Sequence, residues 1–384
     1  MKIMITGGAG FIGSELALKL SEKGHHVILL DNLSQQIHGK DPAHSSPLYK
    51  KIKDKTEFHL GDVTVRKDWL KVLNGTDIIV HLAAETGTGQ SMYQVEKYAK
   101  VNIGGTALML DILANHKGHK VQKVVIASSR AIYGEGKYFS KELGVVYPSH
   151  RNSMDMESGD FEVKYKGALS PLELMATDET SGIHPSSVYG ITKQNQEQMV
   201  MCVCQSLGID CVAFRYQNVY GPGQSLQNPY TGILSIFSTL IKTHRPLNIF
   251  EDGRESRDFV FSDDVVDATI LGIEKNEANG EIFNVGSGIP TSVITVAETL
   301  VKKFGIDVPV NITGDFRIGD IRHNYADLTK ISSRLDYAPK FNFESGISSF
   351  VSWVNNEQIG DSKYDNSISE MKSKGLLKHV HTSS

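Results

Sequence analysis

Short apolar runs separated by stretches of helical spacing dominate the first half of the chain: KIMIT at 2–6, HVILLD at 26–31, TEFHLGD at 56–62 and TDIIVHLAA at 76–84. KVVIAS at 123–128 and, after a long gap, DCVAFRY at 210–216 continue the series. These runs lack polar alternation, so each predicts a strand buried on both faces, as in a parallel sheet covered by helices. The crossovers are then right-handed and the fold class is α/β, a doubly wound parallel sheet. Beyond about 219 the pattern turns irregular and rich in Gly, Pro and Asn (NVYGPGQSLQNPYTG) before shorter helical pieces and the strand-like EIFNVGS. This change predicts a first domain over 1–218 and a smaller, interleaved lobe over 219–356, with 254–275 (through RDFVFSDDVVDA) returning to the first domain. Residues 138–182 form a polar insert with no clean period, and the tail over 357–384 is polar and expected to be loosely held.

At 384 residues with 40% apolar and 22% charged, the chain is long enough for a large core. A formal charge of −4 without a long block of either sign argues against nucleic acid as a partner. Three cysteines, Cys202, Cys204 and Cys211, cannot make a disulfide framework and have no second ligand pair nearby, so neither a metal nor an oxidising compartment is expected. MKIMITGG runs directly into a strand with no signal-peptide core, and no apolar stretch approaches the roughly 18 residues of a membrane span. A cytoplasmic protein without a membrane partner is the expectation.

The candidate chemistry starts in the turn after the first strand. Thr6-Gly7-Gly8-Ala9-Gly10-Phe11-Ile12-Gly13 opens a helix on which Leu16, Ala17 and Leu20 share a face. Glycines here permit a tight turn, close approach of a pyrophosphate to backbone N–H groups, and close helix-on-sheet packing; the helix N-terminus adds partial positive charge. That is a Rossmann-like dinucleotide fingerprint. Asp31 closes the second strand eighteen positions after Gly13, where an acidic residue accepts hydrogen bonds from an adenosine ribose. Its carboxylate repels a 2′-phosphate, and Asn32 to Ile37 supply no Arg to bind one, so NAD is expected rather than NADP. Asp62 and Val63 after the third strand, and Leu82, Ala83 and Ala84 after the fourth, complete the expected cofactor wall. Glu85, Thr86 and Thr88 come next at the carboxyl edge of the sheet, where open α/β sheets bind ligands, and are expected near the substrate.

Tyr189-Gly190-Ile191-Thr192-Lys193 puts a phenol and an ammonium four residues apart, on one face of a helix. A lysine cation beside a phenol lowers its pKa and equips it for acid/base work on a substrate hydroxyl. Ser128-Ser129 ends the fifth strand, where a hydroxyl can bond the reacting oxygen.

The turn TGGAGFIG, Asp31, HLAA, SSRAIYG, YGITK, RYQNVYGP and RDFVFSDDV together resemble the extended short-chain dehydrogenase/reductase family, in particular its nucleotide-sugar epimerases and dehydratases. The resemblance covers about residues 1–345. It implies Tyr189 as catalytic acid/base, Lys193 as its activator and cofactor contact, and Ser129 as the hydroxyl partner, with Arg130 beside it on the substrate side. It also implies that Asn218, Arg257, Arg317 and Asp320 hold the nucleotide diphosphate and nucleoside, guanidinium groups being suited to bidentate pyrophosphate binding. Arg254 and Arg322 are the expected bystanders. A homodimer joined through helices near 93–114 and 188–206 is implied as well.

Branches of the family differ in the steps that accompany hydride transfer. A 4,6-dehydratase also needs an Asp-Glu pair directly after the Ser/Thr position, and this chain has Arg130 and Ala131. A 3,5-epimerase of the related kind needs a cysteine in that stretch, and none occurs before Cys202. The expected reaction is thus NAD-retaining 4-epimerisation; a dehydratase, a UDP- or GDP-hexose 4-epimerase and an NAD-bound scaffold are the alternatives. More narrowly, HLAAETGTGQSMY, SSRAIYGEGKY, YGITKQNQEQ, NPYTGI and IFEDGRESRDFV are similar to the dTDP-L-rhamnose 4-epimerases, which form dTDP-6-deoxy-L-talose. Those relatives often carry a CPxCG-like pair in the insert, where this chain reads Lys164-Tyr165-Lys166-Gly167-Ala168.

Overall fold

The structure is a computed structural model and describes residues 1–230, 232–359 and 364–380. The expected strands form β1 (Lys2–Thr6), β2 (His26–Asp31), β3 (Glu57–Leu60), β4 (Ile78–His81), β5 (Lys123–Ser129) and β6 (Asp210–Tyr216), joined by β7 (Glu281–Val285). They pair in the order β7-β6-β5-β4-β1-β2-β3, every neighbour parallel. Strand order reverses between β1 and β4, which register Thr6 against His81 at their carboxyl ends. In doubly wound sheets a ligand crevice opens at that switch point.

Alternation inside each run decides which face a side chain serves. Ile3, Ile5, Val27 and Leu29 pack on one side of the sheet with Leu16 and Leu20 of the helix Phe11–Glu22 and Val265 and Val266 of the helix Ser262–Glu274. Met4, Ile28, Leu30 and Ile79 pack on the other, against Trp69, Leu110 and Val200. A third apolar cluster, including Phe237, Leu240, Phe259, Phe261, Leu300 and Phe350, forms the core of the smaller lobe.

Four expectations change in the folded chain. EIFNV does not belong to the small lobe: Glu281–Val285 pairs with Val212–Tyr216 and completes the main sheet. RDFVF does not return to that sheet; Ser256–Phe261 pairs with Asn218–Tyr220, and only the helix after it packs back onto Phe11–Glu22. The insert holds a small antiparallel sheet of Tyr138–Ser140, Gly144–Val146 and Glu173–Leu174 plus a short helix, Ser153–Glu157. The tail, expected to be loose, forms a helix at Tyr364–Ser373 that buries Ser367 and Met371 and a strand, Leu377–His379, paired antiparallel with Asp315–Arg317. Residues 360–363 and 381–384 of that tail, and Thr231 of NPYTGI, lie outside the described residues.

Candidate active site

The turn after β1 is built for close approach. Gly7 has φ +69°, a left-handed conformation that favours glycine, and a Cβ there would stand 2.8 Å from Ala83 N. A Cβ on Gly13 would stand 2.3 Å from Gly7 O, so the helix can seat on the turn only with glycine. Gly10 begins the helix with no side chain to cap it. The first-turn N–H groups of Phe11 and Ile12 therefore face a cleft of about 440 Å³ lined also by Gly7, Gly10 and Gly13. Asp31 is buried beside it, accepting from Ala9 N at 3.0 Å and Leu33 N at 2.8 Å. Burial raises its pKa, while those N–H groups and His38, 3.9 Å away, pull it down. Asn32, Val63, Leu82, Ala83 and Ala84 line the same cleft. Asp62 does not; its Oδ1 accepts from Thr64 N and Thr64 Oγ1, and its Oδ2 from Asn32 Nδ2 at 3.4 Å, which sets it behind Asn32 on the cleft. His38, buried on the cleft wall and bonded to Ser46 Oγ at 2.8 Å, is a wall residue that no sequence signal marked. A glycine cradle, a cleft of ligand size and a buried carboxylate at the second strand's end together fit an NAD molecule.

The helix Val188–Leu207 carries the phenol and the ammonium. Ser187 caps it, accepting from Gly190 N at 3.1 Å. A Cβ on Gly190 would lie 2.6 Å from Ala131 O, so glycine lets this helix pack onto the end of β5. Tyr189 and Lys193 both line the cofactor cleft, and Ser129, whose hydroxyl accepts from Ala131 N at 3.1 Å, lines it with them. Ser128 is committed elsewhere: its hydroxyl donates at 2.6 Å to Glu197, which also pairs with the buried Arg215. That separates the two serines.

The electrostatics depart from the expectation in one respect. Burial raises the Tyr189 pKa; the neighbouring Ser129 hydroxyl lowers it, and the charge that lowers it is Arg130 rather than Lys193. The Lys193 ammonium donates to Ala127 O at 3.0 Å, and burial pushes its pKa down to about 7. Behind it, His81 is buried between Thr6 and Thr106, and burial, reinforced by Lys193, pushes it down to about 3.

A second cleft of about 210 Å³ adjoins the first and shares Gly87, Tyr230 and Gly232 with it. Thr88, Arg130, Asn218, Arg257, Arg317 and Asp320 line it, while Glu85, Thr86 and Ser129 stand on the first cleft. Glu85 is ion-paired to Lys97 at 2.8 Å and fastened by Asn102, which also holds Thr192. Arg257 donates to the carbonyls of Ser256, Ile321 and Arg322, which fixes its direction. Arg317 is ion-paired to Asp320 at 2.9 Å and lies over the Phe250 ring. Arg254 is exposed and outside the clefts, as expected. Arg322 is no surface bystander: wholly buried, it ties Glu162 of the insert to Glu251 and Asp252. Residues of the tail helix also line this cleft, a contribution that its polar composition concealed.

Comparison with known proteins accords with this geometry. The profile of the NAD dependent epimerase/dehydratase family matches residues 3–153 and 166–286, interrupted within the insert. The dTDP-L-rhamnose 4-epimerase of Burkholderia thailandensis is 35% identical over 93% of this chain and 95% of its own. A putative UDP-glucose 4-epimerase of Methanocaldococcus jannaschii is 30% identical over 92% of this chain and 98% of its own. Among solved structures, the UDP-glucose 4-epimerase of Thermotoga maritima with UDP-glucose superposes with a TM-score of 0.74 at 28% identity, covering 92% of this chain and 99% of that one. A match spanning both lobes, over a fold with the glycine cradle and the tyrosine helix, places this chain in the NAD-dependent epimerase/dehydratase family.

Proposed function

We propose that this protein is a nucleotide-sugar 4-epimerase that interconverts dTDP-L-rhamnose and dTDP-6-deoxy-L-talose. The observation that carries the reaction type is the surroundings of Tyr189. A dehydratase needs a free acid beside the reacting carbon, whereas the positions after Ser129 are Arg130 and Ala131. The carboxylates whose charge reaches Arg130 are engaged: Asp320 with Arg317, and Glu135 with Arg151 and the backbone N–H of Arg322. The sugar assignment rests on the relative at 35% identity over 95% of its length.

In this reading Gly7, Gly10, Gly13 and the N–H groups of Phe11 and Ile12 hold the dinucleotide phosphates, and Asp31 accepts from the adenosine ribose. NAD held by these groups would supply reversible hydride transfer at C4 of the hexose. Tyr189 takes the proton from the C4 hydroxyl and gives it back, and Ser129 holds the reacting oxygen. Lys193 anchors the cofactor ribose. Arg257 and Arg317 neutralise the pyrophosphate, Asn218 orients it, and Asp320 accepts from the nucleoside sugar.

The test incubates purified protein with dTDP-L-rhamnose in deuterated water. The expected product is the 4-epimer, with no solvent label at C5 and no net NADH; no conversion of dTDP-L-rhamnose, together with a stable 4-keto-6-deoxy product labelled at C6 from dTDP-D-glucose supplied in parallel, overturns the reading in favour of dehydration. A homodimer through the helices near 93–114 and 188–206 belongs to the same proposal, and light scattering at twice the chain mass is the expected result.

A further inference from the structure

The tail is the part of the molecule that the proposed mechanism leaves unused. The family profile ends at 286, so nothing in it assigns the tail a role. Yet Tyr364, Ser367, Ile368 and Met371, spaced as one helical face, line the second cleft. Ion pairing of Arg245 with Asp365 fixes one end of this helix. Near the other, Glu370 accepts from Tyr230 at 2.9 Å and Tyr93 at 3.1 Å, so it holds the loop shared by the two clefts. The strand after it, Leu377–His379, pairs with the strand that carries Arg317.

The helix has a direction along the cleft. Tyr364 lines the cleft from the Asp365 end of the helix; burial raises its pKa, and the charge of Arg317 lowers it. Met371 lies between Thr88 and Gly89 on one side and Arg317 to Asp320 on the other. Its sulfur sits only 3.3 Å from where a Cβ on Gly89 would stand, and it is 4% exposed. The Thr88–Ser91 segment is in turn bonded to the backbone of Tyr189 through Ser91 Oγ at 3.0 Å. The apolar end of the tail helix therefore abuts the loop beside the reacting phenol.

We propose that the helix Tyr364–Ser373 is a wall of the sugar-nucleotide site, and that Ile368 and Met371 form an apolar face at its hexose end that selects a sugar with a methyl group at C6. This rests on the sugar-nucleotide reading of the site and sharpens it. A hydroxymethyl group in the same place loses a water partner against a thioether and an aliphatic chain, neither of which replaces it. Such a pocket discriminates against one added hydroxyl only modestly, by about tenfold to a hundredfold.

The experiment is equilibrium binding to the full-length, NAD-loaded protein by calorimetry, with dTDP-L-rhamnose and dTDP-L-mannose, a pair that differs only in the C6 hydroxyl, every protein carrying Tyr189→Phe to prevent turnover. With the wild-type tail, the 6-deoxy member is expected to bind about tenfold more tightly. Met371→Gln and Ile368→Gln are each expected to shrink that ratio towards one, with dTDP affinity within about twofold of wild type and NAD content unchanged. Equal binding of the pair with the wild-type tail, or a preference that survives both substitutions, overturns the proposal. Failure of the protein with Tyr189 intact to turn over dTDP-L-rhamnose refutes instead the 4-epimerase reaction, because binding is read without catalysis.

Discussion

At the scale of single residues, the phenol's environment is the controlling variable. Burial raises the Tyr189 pKa, and Arg130 opposes it. The base form exists only above that pKa, so removing a cation that lowers it moves the rising limb of kcat to higher pH. Arg130→Gln is expected to shift the kcat profile in that direction, and an unmoved profile would exclude Arg130 from this role. Asp31 answers to a second test. Its carboxylate accepts from the buried Ala9 N–H and the half-buried Leu33 N–H as well as facing the cofactor cleft. Asp31→Ala should cost about 1–3 kcal/mol of stability from the groups left unpaired. It should also weaken NAD retention relative to NADP, read by cofactor content after gel filtration at fixed salt.

Residue-scale chemistry was the most legible part of the sequence. Tyr189, Lys193, the Ser128-Ser129 pair and the glycine turn declare themselves by spacing after identifiable strands. The choice between Ser128 and Ser129 was not open to spacing, because it depends on Glu197 and Arg215 arriving from a helix and a strand far along the chain. Arg322 misleads for the same reason. An arginine reads as surface charge until the acids around it are seen, and those come from 162, 251 and 252.

At the scale of elements, strands buried on both faces were readable because continuous apolar runs admit few alternatives. The strands of the insert have only two or three residues each and bury little, so no period stands out. In the tail the apolar face is present at i, i+4 and i+7 (Tyr364, Ile368, Met371), diluted by the polar residues between. Among the elements, the first turn and helix is the most constrained. Gly13→Ala places a methyl carbon 2.3 Å from one backbone oxygen and 2.9 Å from Gly8 Cα. Backbone cannot swing aside as a side-chain tip can, so a loss of at least about 1–3 kcal/mol is expected, together with loss of bound NAD. A thermal melt paired with the absorbance of released cofactor checks both.

At the scale of the whole molecule, a cluster of buried charges fastens the insert to the substrate lobe beside the apolar contact of Met156 and Phe161 with Phe316. Arg151 chelates Glu251 with two bonds, at 2.7 and 2.9 Å, and Arg322 joins the same carboxylate at 3.0 Å. Breaking one partner of a buried pair costs about 3–5 kcal/mol. Glu162 and Asp252 can turn to water, and Arg151 still holds Glu251, so Arg322→Met is expected at the lower end of that range. Its signature is a lower first transition in scanning calorimetry, with nucleotide affinity falling and NAD content preserved. A melt identical to wild type would contradict the assignment of this cluster as the fastening.

The main sheet takes its last strand, Glu281–Val285, from sequence that lies beyond the first part of the small lobe. During synthesis, β6 therefore emerges with one edge bare, and stays so while about 65 further residues are added before its neighbour is available. An open edge of this kind is a template for pairing with another nascent chain. Fragments that end between 217 and 280 are accordingly predisposed to aggregate, and the two lobes are inseparable as units of expression.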